Sequence, residues 1–241
     1  MVSDDKLYRF HVANIRAVEI ALDNTARSAR KAISEESNSA TESFVRLYAL
    51  LLGVWAENRL KKLLFENRGF SPAERSRIAA REAQHDQWTT VVELAFRKHY
   101  QVPNAELSDT TLPFSSYARY VGLMELLEKD LRPIIEVRNK LAHGQWIYPL
   151  NNDGTDVEQN KYQLLNNENL LSLQYKKSLV SSLSDIVHDL VVSLPTFERD
   201  FDQNYRKISN THNNLRTRSY EAYVRLLVRK KQDGIRKRRA R

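Results

Sequence analysis

Apolar residues return every three or four positions along most of this chain, and that period restricts the fold before any single residue is considered. It is plainest in Leu179, Leu183, Ile186, Val187, Leu190 and Leu194, which fall on one face of an amphipathic helix. Tyr8, Val12, Ile15, Val18, Leu22 and Ala26 repeat the pattern and predict a first helix from about Asp5 to beyond Ala26. A second helix is expected from Thr41 or Ser43 to about Glu66. It is apolar nearly all round between Phe44 and Trp55, as a central buried helix should be. Only 6 Gly and 6 Pro interrupt 241 residues, and 41% of the chain is hydrophobic. The expected fold class is therefore all-α, with enough apolar material for a real core.

Local signals set the remaining boundaries. Glu35 to Ser39 reads as a loop. Ser71-Pro72-Ala73-Glu74 combines a capping box with Pro at the first helical position. The helix or helix pair that follows should reach about His99, with Trp88, Val91, Val92, Ala95 and Phe96 on its core side. Gln101 to Pro113 reads as a polar loop. Ser115-Ser116 is the expected cap of the next helix, which Asp130 and Pro133 end. Pro133 to Ala142 forms a short helix stopped by Gly144. Beyond it, Trp146-Ile147-Tyr148 and Tyr162-Gln163-Leu164 flank a polar stretch with Asp153-Gly154, the pattern of a small β-hairpin. After Pro195, Phe197, Phe201 and Ile208 predict another short helix, Asn210 to Asn214 a turn, and Tyr220, Val224, Leu227 and Val228 a last helix. The expected division is a helical domain over 1–194 and a helical extension over 195–241 that ends in a basic tail.

Composition narrows the chemistry. Cysteine is absent, which excludes disulfides and thiolate metal sites and suits a reducing, cytoplasmic setting. The segment Met1 to Phe10 shows no apolar signal-peptide core, and the longest apolar run, Tyr48 to Ala56, is too short to span a membrane. None of the six histidines stands at the i, i+4 spacing of a helical zinc site, so no metal and no cofactor are expected. There is no phosphate loop, no dinucleotide turn and no Gly-x-Ser-x-Gly elbow. The net charge of +8 favours a polyanionic partner such as RNA. Most of that excess sits in the tail, in Arg229, Lys230, Lys231, Arg236, Lys237, Arg238, Arg239 and Arg241, with Asp233 the only acid among them. Such a run is either a solvated tail or an RNA contact.

The stretch with chemistry in it is Val137-Arg138-Asn139-Lys140-Leu141-Ala142-His143-Gly144. Arg138 shares a helical face with Ile134, Leu141 and Ala142, where a guanidinium is costly unless an anion meets it. Asn139 and His143 are four apart, stack on one face and can hydrogen-bond. Arg138 and His143 are separated by roughly 140° around a regular helix. They can meet at one ligand only through a break at His143 or through a second copy of the chain. Glu57 lies on an apolar stripe with Leu50, Gly53, Leu60 and Leu64, so it is either paired with a neighbouring arginine or functional. Gly53 would let another backbone come close. A histidine can act as base or acid in metal-free RNA cleavage, and an arginine can clamp the phosphate. A histidine at a helix C-terminus also serves simply as a favourable end to the macrodipole.

Arg138-Asn139-Lys140-Leu141-Ala142-His143-Gly144 resembles the Arg-x(4–6)-His signature of HEPN domains. The resemblance implies a helical bundle that works as a homodimer with the two motifs at its interface. It implies a metal-independent endoribonuclease of toxin–antitoxin, abortive-infection or CRISPR-linked defence systems, restrained by an antitoxin or other regulatory protein. In that reading Arg138 and His143 are catalytic, Asn139 assists, and Glu57 matches the acidic or polar residue that other members carry on an earlier helix. The alternative is a non-catalytic HEPN module that binds nucleic acid, a nucleotide or a protein partner. Toxins paired with minimal nucleotidyltransferases carry a tyrosine two residues after the histidine; here Gln145 stands there, and Tyr148 is out of register.

Overall fold

The computed structural model describes residues 3–239. Their regular structure consists of helices and one isolated antiparallel bridge between Leu150 and Val157. The helices are α1 (Asp4–Ser34), α2 (Asn38–Leu63), α3 (Pro72–Ala79), α4 (Gln84–His99), α5 (Phe114–Leu126), α6 (Arg132–Ala142), α7 (Gln159–Asn167), α8 (Leu170–Val192), α9 (Leu194–Thr217) and α10 (Tyr220–Arg239). A π-helical turn, Leu127–Leu131, joins α5 to α6. Among the described residues no helix is long and apolar enough to cross a membrane.

The all-α expectation holds. α2 is the centre: it packs on α1, α6 and α8. That explains its lack of a polar face, since Leu52, Ala56 and Leu60 are all fully buried. Each such leucine contributes about 1.5–3 kcal/mol of burial. Ser37 is the residue before α2, so the loop expected over Glu35 to Ser39 shrinks to a tight reversal with Glu36 at φ 56°. The Ser71 box forms as expected, with the Ser71 amide donating to Glu74 (2.7 Å) and the Glu74 amide to Ser71 Oγ (3.3 Å).

Four local expectations fail. Ser115 and Ser116 do not cap α5, whose preceding residue is Pro113. Ser116 is buried instead, its Oγ 2.8 Å from the Tyr100 hydroxyl, which in turn lies 2.6 Å from Glu198 of α9. Asp130 does not end the helix. Pro133 has no N–H and its ring crowds the carbonyl four residues back, and the wider π turn accommodates both without a break. Of the β-hairpin only the single Leu150–Val157 bridge is present, and Tyr162-Gln163-Leu164 lies in α7, where Leu165 is buried and its carbonyl accepts from Arg46. Arg46, 5% exposed, donates to the Leu165 carbonyl and to Asn166 Oδ1 (2.7 Å), and burial lowers its pKa.

The fourth failure is in the extension. Asn210 to Asn214 is no turn, and α9 runs unbroken to Thr217. Phe197, Phe201, Asn204, Ile208 and Thr211 make a buried stripe at helical spacing. Packing of that stripe along α8 outweighs the weak helix propensity of the asparagines. Ser193 alone links α8 to α9, so the boundary expected at 194/195 falls inside a tight helical hairpin that shares one core. The basic tail is helical as far as Arg239.

Candidate functional site

The motif lies on α6, a short helix with Pro133 in its first turn and His143 as its C-terminal cap. Gly144 follows at φ +77°, a left-handed conformation natural to glycine. The Gly144 amide donates to the Leu141 carbonyl (3.1 Å) and the Gln145 amide to the Lys140 carbonyl (3.0 Å), the paired bonds of a Schellman ending. The chain is then tied down by Trp146 Nε1 donating to Leu141 O (3.1 Å) and by the Leu150 amide donating to Gln145 Oε1 (2.8 Å). Lys140 reaches over the same loop to the Leu150 carbonyl and to Glu158, 2.9 Å away. The Lys140 bond holds the Glu158 carboxyl below its ordinary value. Lys140 and Gln145 are thus loop anchors, a role that spacing could not assign.

Arg138 faces α2, as its apolar face required. Its stem passes over Gly53 so closely that a Cβ on Gly53 would lie 2.3 Å from Arg138 Cβ. The guanidinium Nη2 is ion-paired with Glu57, and Nη1 donates to Asn139 Oδ1 at 2.9 Å. Glu57 also accepts from Lys61 at 2.5 Å. Both side chains of the Arg138–Glu57 pair are about a fifth exposed, 23% and 22%. Burial lowers the Arg138 pKa from its ordinary value, but an arginine beside a carboxylate keeps its proton at neutral pH. Two donors of its fork are engaged, so the remaining N–H groups are available to another anion.

Of the residues singled out in the sequence, Arg138, Asn139 and Glu57 come together. His143 does not join them. Asn139 bonds Arg138 rather than His143, correcting the expected pair four residues apart. His143 is exposed, and its side chain makes no hydrogen bond among the described residues. Its backbone is near-helical at φ −86°, ψ 13°. No break at His143 swings it toward Arg138, and within one copy the two stay roughly 140° apart. Lys61 is the member that sequence reasoning missed. Its position four residues after Glu57 on one helix was the available signal.

The second candidate surface is α10. Tyr220, Tyr223, Val224, Leu227 and Val228 form the side turned to α1 and α8. Lys231 pairs with Glu35 at 3.3 Å, just past the end of α1. Arg229, Lys230, Arg236, Lys237, Arg238 and Arg239 are exposed and form no ion pair among the described residues; Arg241 lies outside the described residues. The run from Arg229 onward carries eight cations against Asp233, seven of the eight net charges. No protein-family model, no curated protein and no solved structure matches this chain.

Proposed function

We propose that this chain is a metal-independent endoribonuclease of the HEPN type, a toxin or defence effector that cleaves RNA as a homodimer. The observation that carries the reading is the state of the two motif residues on one short helix. Arg138 is oriented from two sides by Glu57 and Asn139, while His143 stands uncovered at the helix end. A clamp needs a fixed guanidinium, and a proton-transfer group needs access to substrate. Since one copy holds the two apart, two copies meeting at their α6 ends would build each site from both. In that site one imidazole removes the proton from the ribose 2′-OH, and O2′ attacks phosphorus. The bond to the departing 5′-oxygen breaks, and the second imidazole, protonated, supplies its proton. Arg138 holds the crowded phosphate. The products are a 2′,3′-cyclic phosphate and a 5′-hydroxyl.

The Arg138–Glu57 pair favours one other reading, a non-catalytic module that binds nucleic acid, a nucleotide or a protein, because the carboxylate already neutralises the arginine. Incubation of the purified chain with a mixed-sequence RNA in EDTA, followed by end-group analysis, separates the two. The nuclease leaves cyclic or 3′-phosphate ends, and His143→Ala and Arg138→Ala abolish them while the variants stay folded. RNA binding without any cleavage by the wild type would leave the binding module as the function.

A further inference from the structure

A groove of about 380 Å³ opens between α1, α2 and α8, lined by Asp23, Ala26, Arg27, Arg30, Tyr48, Gln174 and Lys177. It belongs neither to the motif nor to the exposed face of α10. Three of the seven are cations and one is an acid. Asp23 is held 3.5 Å from Lys177, which leaves Arg27 and Arg30 without a carboxylate partner among the described residues. Arg27 Nη1 has only a long contact to Asn24 Oδ1, 3.4 Å. α10 packs on α1 and α8, the helices that carry the groove's cations, so the groove lies beside the basic helix. α10 then follows α1 toward Glu35. On its outer side Arg225, Arg229 and Arg236 fall at i, i+4 and i+11, within about 40° of one line around the helix and spread over about 16 Å of its length. The acids along this path are Asp23, Glu221, Asp233, and Glu35 and Glu36 at the α1–α2 reversal.

We propose that the groove lined by Arg27, Arg30 and Lys177 binds the phosphodiester backbone of single-stranded RNA, a track separate from the cations on the outer side of α10. The proposal rests on the RNA reading above and adds the path of the strand. A single strand can bend into a concavity between two helices, with its phosphates toward the cations. A duplex is stiff over about 150 base pairs and presents a convex rod that such a groove cannot follow. The contacts are to phosphate, so the track is indifferent to base sequence.

The test uses the full chain in a His143→Ala background, so that RNA survives the measurement. Binding of a fluorescein-labelled oligouridylate is followed by anisotropy across a salt series. It is compared for the parent, for Arg27→Gln with Lys177→Gln, and for Arg77→Gln with Arg81→Gln, a control pair of exposed cations outside the groove. Each single-strand phosphate contact contributes about 0.7 to the slope of log affinity against log salt, so the groove pair should lower it by about 1.4. The control pair should leave it unchanged, and a matching duplex should show no dependence on the groove pair. Equal slopes for groove and control variants, a groove-dependent duplex affinity, or no RNA binding by the parent overturns the proposal. Cleavage by the wild-type chain is scored separately. A groove-dependent slope without cleavage removes the nuclease and keeps the track; cleavage without groove dependence does the reverse.

Discussion

Replacing Gly53 with alanine is the sharpest probe of how α2 and α6 meet. The new Cβ would stand 2.3 Å from Arg138 Cβ and 2.6 Å from Arg138 Cγ. Ordinary carbon contacts are about 3.5–4.0 Å, so the two helices must part by roughly 1.2–1.7 Å. Neither atom is the far end of a flexible side chain: one is fixed to the α6 backbone and the other is next to it. Overpacking of this kind costs about 1–3 kcal/mol. Alanine recovers about 1 kcal/mol of helix propensity. The net expectation is a loss of up to about 2 kcal/mol, which for a chain of this size lowers Tm by up to about 8 °C. Gly234→Ala is the control, since its added Cβ meets nothing nearer than Arg238 Nη2 at 4.0 Å. There the propensity gain acts alone and stability should rise by about 0.5–1 kcal/mol. Urea and thermal unfolding followed by circular dichroism measure both. A gain in stability at Gly53→Ala equal to that at Gly234→Ala would refute the close α2–α6 contact and with it the placement of Arg138.

Three further outcomes follow from the same geometry. Arg138→Ala and Glu57→Ala in a double-mutant cycle should show a coupling of about 1–2 kcal/mol, between the values typical of exposed and of buried pairs; additive effects would mean that the pair does not form. His188 on α8 is raised above the ordinary 6.5, chiefly by its bond to Glu66, 3.4 Å away. Burial alone would raise the Glu66 carboxyl, but the bonds from His188 and Lys62 outweigh it and hold Glu66 below the ordinary 4.5. The raised histidine contributes stability that is complete below 6.5 and lost as pH rises through its folded value. The lowered carboxyl contributes stability present above 4.5 and lost as pH falls through its own. The stability difference between wild type and His188→Gln should therefore shrink as pH climbs above neutral; a constant difference in denaturation over that range contradicts the pairing. On the proposed RNA reading, truncation after Val228 should weaken RNA binding and flatten its salt dependence, and an unchanged slope would move the contact off α10.

The helices themselves were written in the sequence, because a 3.6-residue apolar period and its caps act over neighbouring positions. The Leu179 to Leu190 face, the Ser71 box and the Gly144 stop needed nothing distant. The motif residues were legible as chemical types for the same reason, since Arg138, Asn139 and His143 share one short helix. Their partners were not. Glu57 reaches Arg138 only because α2 and α6 touch at Gly53, and Asn139 turns to that arginine because the guanidinium, held by Glu57, is its nearest donor. The same distance from local rules explains the continuous α9. Its asparagines favour a turn when read alone, yet Phe197, Phe201 and Ile208 gain more by lying along α8. Tertiary packing also decided that Arg46 is buried against the Leu165 carbonyl rather than solvated, and that the tail cations project from a helix docked on α1. Periodicity and capping are settled within a few turns of chain. Which side chains neutralise or bond one another depends on which helices the hydrophobic effect brings into contact, and that is fixed only when the whole core closes.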